Sequence, residues 1–95
     1  MKGGWTYIMA DRYRGTIYID VTADLAARIH QHRTGEGSDF VNRYGLNRLV
    51  YAAHHERIED AIAREKAMKK WRRKWKVRLI EEQNPDWLDR YSDIL

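Results

Sequence analysis

The chain has 95 residues, with 18 Lys and Arg against 14 Asp and Glu, one Pro and no Cys. That length suits one small domain, and the missing thiols exclude disulfide staples, a thiolate zinc centre and a cysteine nucleophile. The 43% hydrophobic content favours a packed core over disorder. No apolar run approaches the ~20 residues of a membrane span, and Met1-Lys2-Gly3-Gly4-Trp5 lacks a signal-peptide stretch, so a cytoplasmic protein without membrane contact is expected.

In chain order, Trp5 to Ala10 and Thr16 to Ile19 are strand-like runs around the polar Asp11-Arg12-Tyr13-Arg14-Gly15, the pattern of an antiparallel hairpin. Ile17 and Ile19 are expected on one face of the second strand, and Thr16, Tyr18 and Asp20 on the other. Thr22 is the expected cap of a helix from about Ala23 to Arg33, with Asp24 in its first turn and a stop near Gly35 and Gly37. A loop from Phe40 to Asn47 leads to a third strand, Arg48 to Ala53. Helical period runs from Ile58 to about Trp71, resumes from Trp75 to Glu82, and ends at Asn84-Pro85. The order ββαβαα predicts an α+β sandwich, a three-stranded antiparallel sheet flanked by helices. With no repeats or linkers, residues 1–95 read as one domain.

The charge is unevenly distributed. Residues 64–78 hold nine Lys and Arg against Glu65 alone, while 79–95 hold five acids against Arg90. A basic block of this kind neutralises phosphates, which makes nucleic acid the leading partner; a solvated helix face with i,i+4 ion pairs is the plainer alternative. Trp71 and Trp75, four apart, suit a core-facing stripe, or stacking on bases.

Two polar groups fall on apolar faces. At ~100° per residue Ile58, Ala61, Ile62 and Met68 share a face, and Glu65 lies in its middle. A carboxylate there requires a metal, neutralisation or a buried ion pair with an Arg. On the first helix Leu25 and Ile29 define the buried face, with Arg28 and His32 on or beside it, one turn apart. His32 read alone suits a satisfied core histidine; two helices each turning a polar group toward the sheet suggest a shared site. His30 points outward, and His54-His55 are read as surface residues. The zinc-enzyme spacing, a glycine-rich phosphate loop and a nucleophile elbow are all missing.

Trp5-Thr6-Tyr7 followed by Tyr18-Ile19-Asp20 resembles the paired signature of the GIY-YIG nuclease domain, most closely the small single-domain members similar to the excinuclease N-terminal domain. Thr22 to His32, with Asp24, Leu25 and Arg28, is similar to that family's first helix. Phe40-x-x-Arg43-Tyr44-Gly45 with Leu49-Val50 resembles its central loop and third strand, and Ala61 to Trp71 its acidic helix. Asn84-Pro85-x-Trp87 resembles the closing segment, so the likeness spans residues 5 to about 88.

The resemblance implies a metal-dependent endonuclease hydrolysing phosphodiesters in DNA or RNA, DNA first. Glu65 corresponds to the glutamate holding one divalent ion, Mg2+ or Mn2+, and Arg28 to the arginine facing the scissile phosphate. Tyr7 and Tyr18 match the two tyrosines, one of which positions or deprotonates water, and His32 matches the helix histidine. Asn84, Tyr44 and Asp20 would stand behind these groups; Lys66, Lys69, Lys70 and Arg73 would meet the nucleic acid. A protein partner could supply specificity to so small a domain. Trp5 and Asp20 replace the two signature glycines, and Val41 a frequent threonine. The carboxylate of Asp20 shares a strand face with Tyr18, where pairing with Arg28, recruiting a metal and repelling phosphate are all open. A catalytically weak or inactive nucleic-acid-binding module on the same scaffold is the alternative function, and a protein-interaction domain the third.

Overall fold

The computed structural model describes residues 3–36 and 39–94; Met1, Lys2 and the expected helix stop at Gly37 lie outside them. Three strands form one antiparallel sheet: β1 (Gly4–Ala10), β2 (Ile17–Thr22) and β3 (Arg48–His55), in the order β2-β1-β3. Helices α1 (Leu25–Arg33), α2 (Asp39–Tyr44), α3 (Ile58–Lys69) and α4 (Arg73–Gln83) surround it, and a 3₁₀ turn follows at Tyr91–Ile94. The α+β sandwich expected from the sequence is the fold observed, with α2 an addition inside the segment read as a loop.

Alternation along β1 separates two cores. Ile8 and Ala10 pack with Ile19, Val50, Met68, Ile80 and Trp87 on the side of α3 and α4. Tyr7 and Met9 pack with Leu25, Ile29, Val41, Leu46 and Leu49 on the side of α1 and α2. The pairing of β1 with β3 slips between Ile8 and Met9, whose partners are Tyr51 and Leu49. The bulge lets Val50 and Tyr51, neighbours in the chain, both serve the first core. Ile17 and Ile19 face that core and Tyr18 the other, as the alternation predicts.

Local chemistry explains where boundaries differ. The helix cap is Asp24, whose Oδ1 accepts from the N–H of Ala27 at 3.2 Å; Thr22 Oγ1 accepts instead from the N–H of Asp24 at 3.1 Å. A six-residue helix such as α2 completes under two turns, too few for a period to show; Asp39 opens it and Val41 is its buried residue. The N–H of Leu46 returns to the carbonyl of Val41 at 3.1 Å, and Gly45 supplies the φ of 63° that ends the helix. Trp71 lies between α3 and α4, so Trp71 and Trp75 do not share a helix face. Trp71 is partly buried against the first core and beneath the Arg64 guanidinium, whereas Trp75 is 52% exposed, contrary to a core stripe.

The segment after α4 closes the first core. Asn84 is buried; its Nδ2 donates to the carbonyls of Val50 at 3.1 Å and Leu88 at 2.8 Å, and its Oδ1 accepts from the N–H of Leu88 at 3.1 Å. Trp87 is fully buried at a φ of 56°, with its indole N–H on Glu81 at 2.7 Å. Arg14 and Trp87 hold the Glu81 carboxyl down at about 2. Replacing Asn84 by Ala strands buried carbonyls, and we expect a loss of about 2–3 kcal/mol in urea unfolding; a change below ~0.5 kcal/mol, the range of ordinary surface substitutions, would contradict this role.

Candidate active site

Tyr7, in the middle of the central strand, turns its side chain into the second core, where its hydroxyl is cut off from water. Such a group requires partners, and α1 supplies them. His32 Nε2 lies 2.9 Å from Tyr7 Oη, and Arg28 Nε donates to the same oxygen at 3.4 Å. Their i,i+4 spacing places both over Tyr7, one turn apart. Arg28 occupies one acceptor position of the hydroxyl, and assigning the phenolic proton to His32 Nε2 gives the hydroxyl its donor bond as well. Nδ1 of His32 then carries the ring proton, and that atom is buried with no hydrogen-bond partner.

The network continues onto β2. Arg28 Nη2 donates to Asp20 Oδ2 at 3.4 Å, and the Tyr18 hydroxyl donates to the same oxygen at 2.9 Å. Asp20 Oδ1 accepts from the N–H of Val21 at 2.9 Å. Tyr18, Asp20, Arg28, Tyr7 and His32 thus form one hydrogen-bonded chain across β2, β1 and α1. Asp20 thus pairs with Arg28, one of the three fates open to it. Its backbone is ordinary strand, paired with Tyr7 across the sheet, so no left-handed geometry calls for a glycine here.

Burial raises the Tyr7 hydroxyl above the usual tyrosine range, opposed by the hydrogen bond from Arg28. The bond to Tyr7 raises the Arg28 guanidinium further, so it stays charged. Burial, then the positive charge of Arg28, lowers the His32 imidazole, which is therefore neutral near pH 7.

Glu65 is only 7% exposed, on the buried face of α3 between Ala61 and Met68. The same helix packs on β1 and on the edge strand β2. Its partner is a lysine, not the arginine expected of a buried pair: Lys69 Nζ lies 2.5 Å from Glu65 Oε2, one turn on. That bond raises the Lys69 ammonium, with smaller upward contributions from Asp20 and Tyr18, which tie Glu65 and Lys69 to the β2 end of the network. The described residues contain no group of three or more His, Asp or Glu able to hold a metal. A lone buried carboxylate neutralised by one mobile ammonium fits a hard divalent ion that keeps most of its shell as water and phosphate oxygen.

The other expected site residues divide. Tyr44 is 49% exposed and reaches the site through Phe40: ring centroids lie 4.8 Å apart from Tyr44 to Phe40 and 5.8 Å from Phe40 to Tyr18. The polar atoms of Asn84 are all engaged with the backbone described above. Arg73 Nη2 donates to the carbonyls of Arg14 at 2.7 Å and Gly15 at 2.5 Å, clasping the hairpin loop to α4. Lys69 is committed to Glu65, while Lys66 and Lys70 are exposed. Phe40 was not among the expected site residues; its spacing of four from Tyr44 was the available signal, hidden by reading the segment as loop.

Residues 3–78 match the family model described as the GIY-YIG catalytic domain. Among curated relatives are the UPF0213 proteins of Staphylococcus aureus strains Mu50, N315 and MW2. Each is 32% identical over 69 residues, covering 73% of this chain and 84% of theirs. No solved structure matches the chain significantly. None of the helices among the described residues is long and apolar enough to cross a membrane.

The lowered His32 makes acid destabilising. The unfolded imidazole takes a proton near pH 6.5, whereas the folded one resists it, so stability is full above that pH and falls as pH drops through 6.5 toward the lower folded value. Melting temperatures from pH 7.5 to 5.5 should therefore drop more for the wild type than for His32→Gln. Equal slopes would mean that His32 is not held neutral by burial.

Proposed function

This chain belongs to the GIY-YIG catalytic-domain family, and from that premise we propose that it is a metal-dependent endonuclease hydrolysing phosphodiester bonds, in DNA ahead of RNA, in the cytoplasm. The observation that carries the reading is the buried Tyr7 hydroxyl held between Arg28 Nε and His32 Nε2. Burial alone calls for one partner on the hydroxyl; a neutral imidazole on one side and a guanidinium on the other is the set that a proton relay uses.

Glu65 would hold one divalent ion, Mg2+ or Mn2+, which when bound supplies positive charge to the phosphate and makes water more acidic. The chain's own groups provide the rest. Tyr7 is too weak an acid to stand as a free phenolate, because burial opposes its ionisation. Once Arg28 Nε swings from Tyr7 toward a bound phosphate and opens that acceptor position, the Tyr7 oxygen would take a proton from the attacking water while its own proton passes to His32 Nε2. His32, kept neutral, is free to receive it. Arg28 stays charged through the step and offers its fork to the phosphate oxygens as charge builds there. Lys69, once released from Glu65, joins Lys66 and Lys70 as a phosphate contact.

Asp20 favours the second reading, a weak or inactive binding module, because it occupies Arg28 Nη2 and the Tyr18 hydroxyl, both of which a substrate phosphate would need. The two readings separate in a cleavage assay on single- and double-stranded DNA and RNA with Mg2+ or Mn2+. For the nuclease, Glu65→Gln should lower cleavage by roughly a thousandfold while binding persists, and Asp20→Gly should raise the rate. No cleavage of any substrate, or equal cleavage by Glu65→Gln, would defeat the nuclease reading. Reversing Lys66 and Lys70 to Glu should remove salt-sensitive binding under either.

A further inference from the structure

The aromatic side chains beside the relay form a ladder leading out of the site. Tyr18, whose hydroxyl belongs to the hydrogen-bonded chain, stacks its ring on Phe40 with centroids 5.8 Å apart and planes 25° from parallel. Phe40 in turn meets Tyr44 at 4.8 Å. Both outer rings remain in water, Phe40 41% and Tyr44 49% exposed. Two large exposed rings side by side on a small protein form an apolar patch that invites an occupant. This patch is continuous with the candidate active site and shares its short helix with exposed Arg43, so the occupant carries both an aromatic face and negative charge.

We propose that Phe40 and Tyr44 are a stacking platform for an unpaired nucleobase next to the scissile phosphate, which makes single-stranded nucleic acid the preferred substrate of this site. The inference rests on the nuclease reading for the position of the phosphate. Within a duplex both faces of each base are covered by neighbouring base pairs, and only the edges reach the grooves. A ring at the protein surface therefore stacks only on a base that has left the helix or was never paired. A phosphate at Arg28 brings the adjoining nucleotide alongside Tyr18, and the ladder extends the stack outward from there. Base–aromatic stacking tolerates any base, so the platform selects for an unpaired strand rather than for a sequence.

The test is binding of the full chain, without divalent metal, to a fluorescent 12-mer of oligothymidylate and to a blunt 12-base-pair duplex. The wild type should bind the single strand more tightly. Phe40→Ala should weaken single-strand binding about tenfold, within the range for loss of one stacked base, and leave duplex binding unchanged, with the melting temperature lowered by the lost contacts to Tyr18 and Tyr44 but the chain still folded at the assay temperature. Phe40→Trp should restore the affinity, and its added fluorescence should be quenched by the single strand and not by the duplex. Equal affinity for the two forms in the wild type, no binding to either, or a parallel loss of both in Phe40→Ala would overturn the proposal. Because no turnover is needed, a single-strand preference that depends on Phe40 stands even if cleavage with Mg2+ fails; cleavage without that preference leaves the nuclease reading intact and removes this one.

Discussion

A phenol hydroxyl at the centre of a three-stranded sheet must be hydrogen-bonded or the sheet is destabilised, and here it belongs to Tyr7 on β1. Leu25 and Ile29 anchor α1 on the second core, and the same helix presents Arg28 and His32 to the hydroxyl. Packing and site assembly are therefore one event. The helix cannot slide by a turn without exposing Leu25 and Ile29 and leaving the Tyr7 hydroxyl without partners. Arg28 then reaches Asp20, and the network crosses to the β2 edge, where α3 brings Glu65 and Lys69.

The charges in this small volume are closely matched. Arg28 and Lys69 face Asp20 and Glu65, and each cation sits on one carboxylate. Half-exposed Lys69 opposite a nearly buried Glu65 is an asymmetric pair, because the lysine can leave on its flexible stem while the carboxylate is fixed on α3. Asp20 is the counterweight. It neutralises Arg28 where a glycine would leave the guanidinium open to a phosphate, and it orients Tyr18 as well.

The parts of this architecture readable from sequence were those governed by repeating patterns. Strand alternation placed Ile17 and Ile19 opposite Tyr18, and helical period put Glu65 on a buried face and Arg28 near His32. Patterns shorter than two periods were missed. The six-residue α2 passed as loop, and with it went Phe40, whose ring stacks on Tyr18 only once the chain is folded. The lysine partner of Glu65 lies four residues on and was visible as an i,i+4 pair, yet the basic block invited reading Lys69 as a phosphate contact. Arg73 was grouped with that block too, and only the fold brings it against the carbonyls of the hairpin loop, nearly sixty residues earlier.

The central claim is that Glu65 serves a cation at the β2 edge, beside the Asp20–Tyr18 end of the network, rather than a permanent ion pair with Lys69. Crystals soaked in Mn2+ and measured for anomalous scattering test it most directly. The account predicts one anomalous peak within about 2.3 Å of a Glu65 carboxylate oxygen, on the side of Tyr18 and Asp20, with the Lys69 ammonium moved off Oε2. Saturating Mn2+ with Glu65 still bonded to Lys69 and no peak beside it would contradict the account.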